Sequence, residues 1–258
     1  MRKSINISEG TKKIITEIKE KYYTNSRVTD SYIVSEALKN CEKERVESPL
    51  ESDKEEKVYQ SIKYTLAYEA DQAICNYMEC GYTADAIVRA ALLCEINKLK
   101  ETEKLEMYKR RYRLIMSEKK MSVISTSGKE VNLVDFLPAI YGVYISKKKS
   151  KKRYPLYVGK SLLFADRNAT HISSVYDNPE YFGLTDEDIK NDELILTFEI
   201  EEIINVEQAD TYNDLVNFLC KAETKKIKEL KPVTQDGMNM IKSQVEKRDA
   251  VLKVINQL

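Results

Sequence analysis

The sequence predicts an α+β chain: a mostly helical N-terminal part made of a repeated strand, helix, helix unit, then a small C-terminal α/β domain with a short antiparallel sheet flanked by helices. Three observations predict it. TDSYIVSEAL (29–38) aligns with TADAIVRAAL (83–92), matching Thr29 with Thr83, Ile33 with Ile87, Val34 with Val88, Ala37 with Ala91 and Leu38 with Leu92. A short alternating segment and a helical pattern precede each copy, which makes an internal repeat the economical explanation. From Ile140 onward, aromatic and β-branched runs surround a polar loop, the pattern of a β-hairpin.

The first repeat, over 1–45, opens with Ser4-Ile5-Asn6-Ile7-Ser8, whose period of two puts Ile5 and Ile7 on one face and the polar residues on the other. Ile14, Ile15, Ile18 and Tyr22 then recur at helical spacing, and Thr29 caps a second helix carrying Ile33, Val34, Ala37 and Leu38. The second repeat, over 58–100, has its alternating strand at Ser61 to Leu66. A helix with Ala70, Ala73, Ile74, Tyr77 and Met78 follows, then a break at Cys80-Gly81-Tyr82 and a helix capped by Thr83. One strand and two helices leave an apolar side open, so each unit needs a partner of its own kind, and the chain supplies one.

Glu42 to Lys57 is charged and reads as a tether. The stretch 101–135 is expected to be a helical linker, because Glu95 to Lys120 is rich in Glu, Lys and Arg with scattered leucines. Its Lys109 to Arg113 run reads as a solvated face, with tracking of a phosphate backbone as the alternative. The C-terminal domain is expected over 136–258: a hairpin around a basic loop from Lys147 to Arg153, a helix near Ala165 to Tyr176, a strand at Glu193 to Ile200, and a helix from Ala209 to Leu230 that Pro232 stops.

Lys plus Arg and Asp plus Glu each number 42 in 258 residues, so any pull toward nucleic acid must come from local segregation of charge. Five cysteines are odd in number and form no CxxC pair or zinc-like cluster with the lone His171, so reduced thiols are expected. The N-terminal MRKSINIS has no apolar signal core, and the apolar run from Phe136 to Ile145 is too short to cross a bilayer. A cytoplasmic protein without a membrane partner is expected.

The C-terminal residues resemble a known family. Gly142-Val143-Tyr144 and Tyr157-Val158-Gly159 are similar to the two namesake tripeptides of the GIY-YIG nucleases. Arg167 and, one helical turn later, His171 follow in the family's order, and Glu223 sits in KAETKKIKELKPVTQ, similar to its acidic helix and trailing Lys-Pro segment. The family usually has asparagine after that segment, where this chain has Gln235. The resemblance implies phosphodiester hydrolysis with Glu223 holding Mg²⁺, or Mn²⁺ in its place, and Arg167 clamping the scissile phosphate. It also implies that Tyr144 deprotonates the attacking water, with Lys160 and Arg167 lowering its pKa, that Tyr157 orients water or phosphate, and that His171 assists proton transfer. Gln235 would be auxiliary. Without these neighbours, either tyrosine is one of 17 and reads as strand packing.

The N-terminal repeats resemble the ribbon-helix-helix family, in which two units pair their strands and the ribbon enters the DNA major groove. That implies base-reading positions at Ser4, Asn6, Ser8, Ser61, Lys63 and Thr65, and phosphate contacts at the helix starts marked by Thr29 and Thr83. The expected function is a site-specific double-strand DNA endonuclease of restriction or homing type, acting as a monomer with paired repeats or as a homodimer. A DNA-binding repressor or accessory protein with a degenerate nuclease domain is the alternative.

Overall fold

The computed structural model describes residues 3–24, 28–43, 59–64, 68–79, 81–117, 123–124 and 130–258. It is a mixed α and β structure that divides into two compact units, 1–103 and 104–258. Among the described residues no helix is long and apolar enough to cross a membrane.

The first unit opens with β1 (Lys3–Ser8), α1 (Glu9–Tyr22) and α2 (Asp30–Lys43), followed by β2 (Tyr59–Tyr64), α3 (Tyr68–Glu79) and the start of α4 (Ala84–Met116). β1 and β2 pair antiparallel, with Ile5 opposite Ile62, Ser4 opposite Lys63 and Asn6 opposite Ser61. The expected second strand began at Ser61; the observed one begins two residues earlier, and 65–67 lie outside the described residues. Ile5 and Ile7 are buried with Ile15, Ile18, Ile33, Val34, Leu38, Ile74, Ile87, Val88, Leu92 and Ile96 in one cluster to which both halves contribute. Burying such side chains is the main favourable term of the unit, about 1.5–3 kcal/mol each. Local capping sets the boundaries: Ser8 Oγ accepts from the Thr11 amide, Thr29 Oγ1 from Tyr32 and Thr83 Oγ1 from Ala86. Asp85, buried in the first turn of α4, accepts the Ser8 amide at 2.7 Å and so ties the second half to the first.

The expected linker over 101–135 is not a separate element. Nothing from Ala84 to Met116 is Gly or Pro, and the second-repeat helix continues unbroken as the 33-residue α4. Its C-terminal part is not solvated all round, since Leu105 is buried with Tyr108 and Tyr112 packed alongside. Arg111 donates to the Phe136 carbonyl and Arg113 pairs with Glu207, so the Lys109–Arg113 run is largely engaged within the protein.

The second unit continues with the two-residue strands β3 (Val123–Ile124) and β4 (Glu130–Val131), then β5 (Ala139–Lys147), β6 (Arg153–Ser161), α5 (Phe164–Asp177), α6 (Asp186–Lys190), β7 (Leu194–Ile203), α7 (Tyr212–Leu230), the short hairpin β8 (Gln235–Asp236) and β9 (Asn239–Met240), and α8 (Gln244–Ile255). The sheet is antiparallel in the order β6-β5-β7, with β5 central and buried on both sides. One face carries Tyr141, Val143, Ile145, Phe164, Phe182 and Val251. The other carries Ile140 and Val158 against Leu215, Leu219 and Ile227 of α7. A capping box at Thr211 and Asp214 starts α7, and Lys231 at φ 50° ends it just before Pro232. Among the described residues, Cys75, Cys94 and Cys220 form no disulfide. Cys41 and Cys80 lie outside the described side chains.

Candidate functional site

The hairpin β5–β6 contains a bulge that decides which tyrosines meet. Val143 pairs with Tyr157 and the next residue, Tyr144, with Pro155, so Leu156 is an extra residue on β6. Strict alternation would send Leu156 and Tyr157 to opposite faces. The bulge sends both to the face of Tyr141 and Val143. The chain after Pro232 runs along β6 and supports this irregularity: Leu156 O accepts from the Thr234 amide at 3.0 Å and the Thr234 hydroxyl at 2.7 Å, and Pro155 O accepts from Val233. Gln235 then uses both ends of its amide on Val158, accepting its N–H at 2.7 Å and donating to its carbonyl at 3.0 Å.

On that face Tyr141 is the hub. Its phenol oxygen lies 2.6 Å from His171 Nε2 and accepts from Arg167 Nε at 3.3 Å. Its ring packs 6.1 Å from that of Tyr157 and 5.4 Å from that of Phe164. Arg167 and His171 are one turn apart on α5, as the i, i+4 spacing requires, and both reach the same atom. Tyr141 also lies across from Gly159, the one residue type that leaves room for its ring: a Cβ there would fall 2.6 Å from the phenol oxygen.

His171 is buried among Tyr141, Tyr157, Tyr181, Phe182 and Phe198. Burial, with the nearby Arg167 cation, pushes its pKa down to about 4, so it is neutral at neutral pH. With the His171 proton on Nδ1, Tyr141 donates to Nε2 while accepting from Arg167 Nε. Burial also pushes the Tyr141 and Tyr157 phenols up, more than Arg167 draws them down.

Tyr144 does not belong to this group. It points to the opposite face, where its hydroxyl donates to Glu201 at 2.5 Å and Arg153 stacks 4.4 Å from its ring centre while also pairing with Glu199. Burial and then Glu201 raise its pKa, the reverse of the lowering expected from Lys160 and Arg167. The expectation fails because neither cation reaches it: Arg167 is bound to Tyr141, and Lys160 is paired with Glu223 at 2.5 Å. The tyrosine that meets Tyr157, Arg167 and His171 is Tyr141, three residues earlier. The signal that identifies it is hairpin register, since Tyr141 faces the glycine of the second tripeptide.

Glu223, on α7, is buried to 7% exposure with Lys160 on its carboxylate. Among the described residues no group of three or more His, Cys, Asp or Glu is placed to hold a metal. A lone carboxylate fits a hydrated hard cation at one point only, and Lys160 must give way for it. Gln235 is held by Val158 at both ends of its amide, so its place is fixed by β6.

In the first unit, Asn6 is exposed and Ser61 and Lys63 occupy the register positions opposite Asn6 and Ser4. Thr65 lies outside the described residues, as do the side chains of Ser4, Ser61 and Lys63. Ser8 is corrected: it is 3% exposed and caps α1, because the strand alternation ends where the helix begins at Glu9. Thr29 and Thr83 cap α2 and α4, and each helix also carries an aspartate in its first turn. Asp30 there is paired with Lys12 and Lys19.

Comparison with family models, curated proteins and solved structures finds no match to this chain.

Proposed function

We propose that the chain is a metal-dependent DNA endonuclease of GIY-YIG type whose N-terminal unit is a ribbon-helix-helix-like DNA reader formed within one chain. The observation that carries this reading is the convergence of Arg167, His171 and Tyr157 on Tyr141, in the sequence order of the family motif, with the Glu223 carboxylate near enough to raise the Tyr157 phenol.

Phosphodiester hydrolysis gathers negative charge on oxygen in the transition state, and a fixed guanidinium stabilises that charge more than the ground state. Arg167 is held by its Nε on Tyr141 and also interacts with Tyr157, and its remaining N–H groups would meet a phosphate. Tyr141 is held in turn by neutral His171. In this reading Tyr141 braces Arg167 and is not a phenolate base, since burial keeps it protonated. Tyr157, partly buried beside it, would donate to phosphate or water. Glu223 would carry Mg²⁺ or Mn²⁺, which when bound supplies Lewis acidity and a water more acidic than bulk. Lys160, which pairs with Glu223 here, would be the cation at that carboxylate.

The first unit supplies binding. Antiparallel pairing of β1 with β2 over a shared core is the arrangement a groove-entering ribbon needs, and Asn6 is on its exposed side. The test is cleavage of supercoiled plasmid with and without Mg²⁺, comparing the natural protein with Glu223→Ala. Metal-dependent cutting that the variant loses, with gel-shift affinity retained, supports the reading. A natural protein that does not cut, or a variant that cuts at the natural rate, overturns it.

A further inference from the structure

We propose that the tip of the β5–β6 hairpin, Lys148 to Lys152, grips the phosphate backbone of duplex DNA up to about five base pairs from the Tyr141–Tyr157 face; this rests on the nuclease reading above.

Four of these five residues are lysines, and all four are exposed. Several other cations of this unit are engaged: Lys147 donates to the Ile255 carbonyl, Arg153 binds Glu199, Lys160 binds Glu223 and Arg248 binds Asp188. Among the described residues, Lys148, Lys149, Lys151 and Lys152 form no ion pair, although the chain at Asp192 and Glu193 runs beside them. The tip is nonetheless a built turn. Ser150 N donates to Lys147 O at 2.9 Å, Lys152 N to Ser150 Oγ at 3.0 Å, and Lys148 N to Glu193 O at 2.9 Å. Ammonium groups therefore project from a fixed backbone rather than from a free tail.

The chemistry of the tip selects its partner. Ammonium groups are point charges that suit phosphate oxygens, and they carry no base-reading geometry. The tip has no aromatic side chain on which an unpaired base would stack, as single-stranded nucleic acid requires. A duplex backbone, with one negative charge per ~1.7 Å of axis, is the matching surface. The reach also fits. Lys152, just before β6, lies five positions before Tyr157, at most about 17 Å at ~3.3 Å per strand residue with Leu156 bulged between them, which spans up to about five base pairs at ~3.4 Å each.

The experiment uses the full chain and a 30-base-pair duplex of random sequence. Affinity is measured against salt for the natural protein and for the quadruple variant K148Q/K149Q/K151Q/K152Q. The slope of log affinity against log salt is expected to flatten by about 3 to 4, at ~0.9 per phosphate contact. Because the tip is exposed, melting temperature should stay unchanged; if the quadruple variant does not fold, K151E alone should lower the slope by about 1 or more. An unchanged slope in a natural-like fold overturns the clamp while leaving the nuclease reading standing. Failure of the natural protein to bind or cut duplex overturns the nuclease reading and the clamp with it. Stronger competition by single-stranded RNA or an acidic polypeptide than by duplex overturns the choice of partner.

Discussion

Tyr141 and His171 share a hydrogen bond of 2.6 Å beneath the hairpin, although 30 residues separate them, and the same phenol oxygen receives Arg167. Removing that oxygen frees Arg167 without opening a cavity. Tyr141→Phe is therefore expected to slow single-turnover cleavage by about two orders of magnitude, the usual scale for a positioned group. Tyr144→Phe, whose hydroxyl meets only Glu201, should leave the rate near natural and cost about 1 kcal/mol of stability. Rates measured in parallel decide between the two tyrosines: a reversed order would return the role to Tyr144.

Gly159 is the space in which the Tyr141 ring lies. Gly159→Ala would place a methyl group 2.6 Å from the phenol oxygen and 2.7 Å from a ring carbon of Tyr157. Overpacking of this kind costs about 1–3 kcal/mol. The melting transition should fall and cleavage should fall with it, because the displaced ring is the one that holds Arg167. Natural melting and activity in this variant would show that the ring does not occupy that space.

His171 makes a pH prediction. Its folded pKa, about 4, is below the ordinary 6.5, so the unfolded chain binds the proton more tightly. Its contribution is fully present above pH 6.5 and is lost as pH falls from 6.5 through 4. The loss by pH 5 is about 2 kcal/mol, at ~1.4 kcal/mol per unit. His171 is the only histidine, so His171→Gln should be less stable at pH 7 yet flatter between pH 7 and 5. Denaturant midpoints across that range measure it, and parallel curves for the two proteins would exclude a buried neutral imidazole.

In the first unit, Asn6→Ala and Lys63→Ala are each expected to weaken binding to the specific site by about 1–3 kcal/mol and to affect random DNA much less. Ser8→Ala should behave differently. Ser8 caps α1, so its loss should cost about 1 kcal/mol of stability without changing the footprinted sequence. A shifted footprint for Ser8→Ala, or an unchanged one for Asn6→Ala with Lys63→Ala, would remove the ribbon as the reader.

The sequence by itself determined the elements and much of the grouping. Alternation at Ile5 and Ile7, caps at Thr29 and Thr83, and Pro232 after α7 are local signals, and the local backbone follows them. The spacing of Arg167 and His171 was legible for the same reason, because a helix converts a separation of four residues into one face. Long-range register was not legible. The extra residue at Leu156 changes which face Tyr157 joins, and its support comes from Thr234, 78 residues away. The exclusion of Tyr144, the arrival of Tyr141, and the pairing of Lys160 with Glu223 across 63 residues all depend on that register and on how α7 packs against β6. Only the tertiary structure decided these, since residue order encodes strand parity only until a bulge resets it.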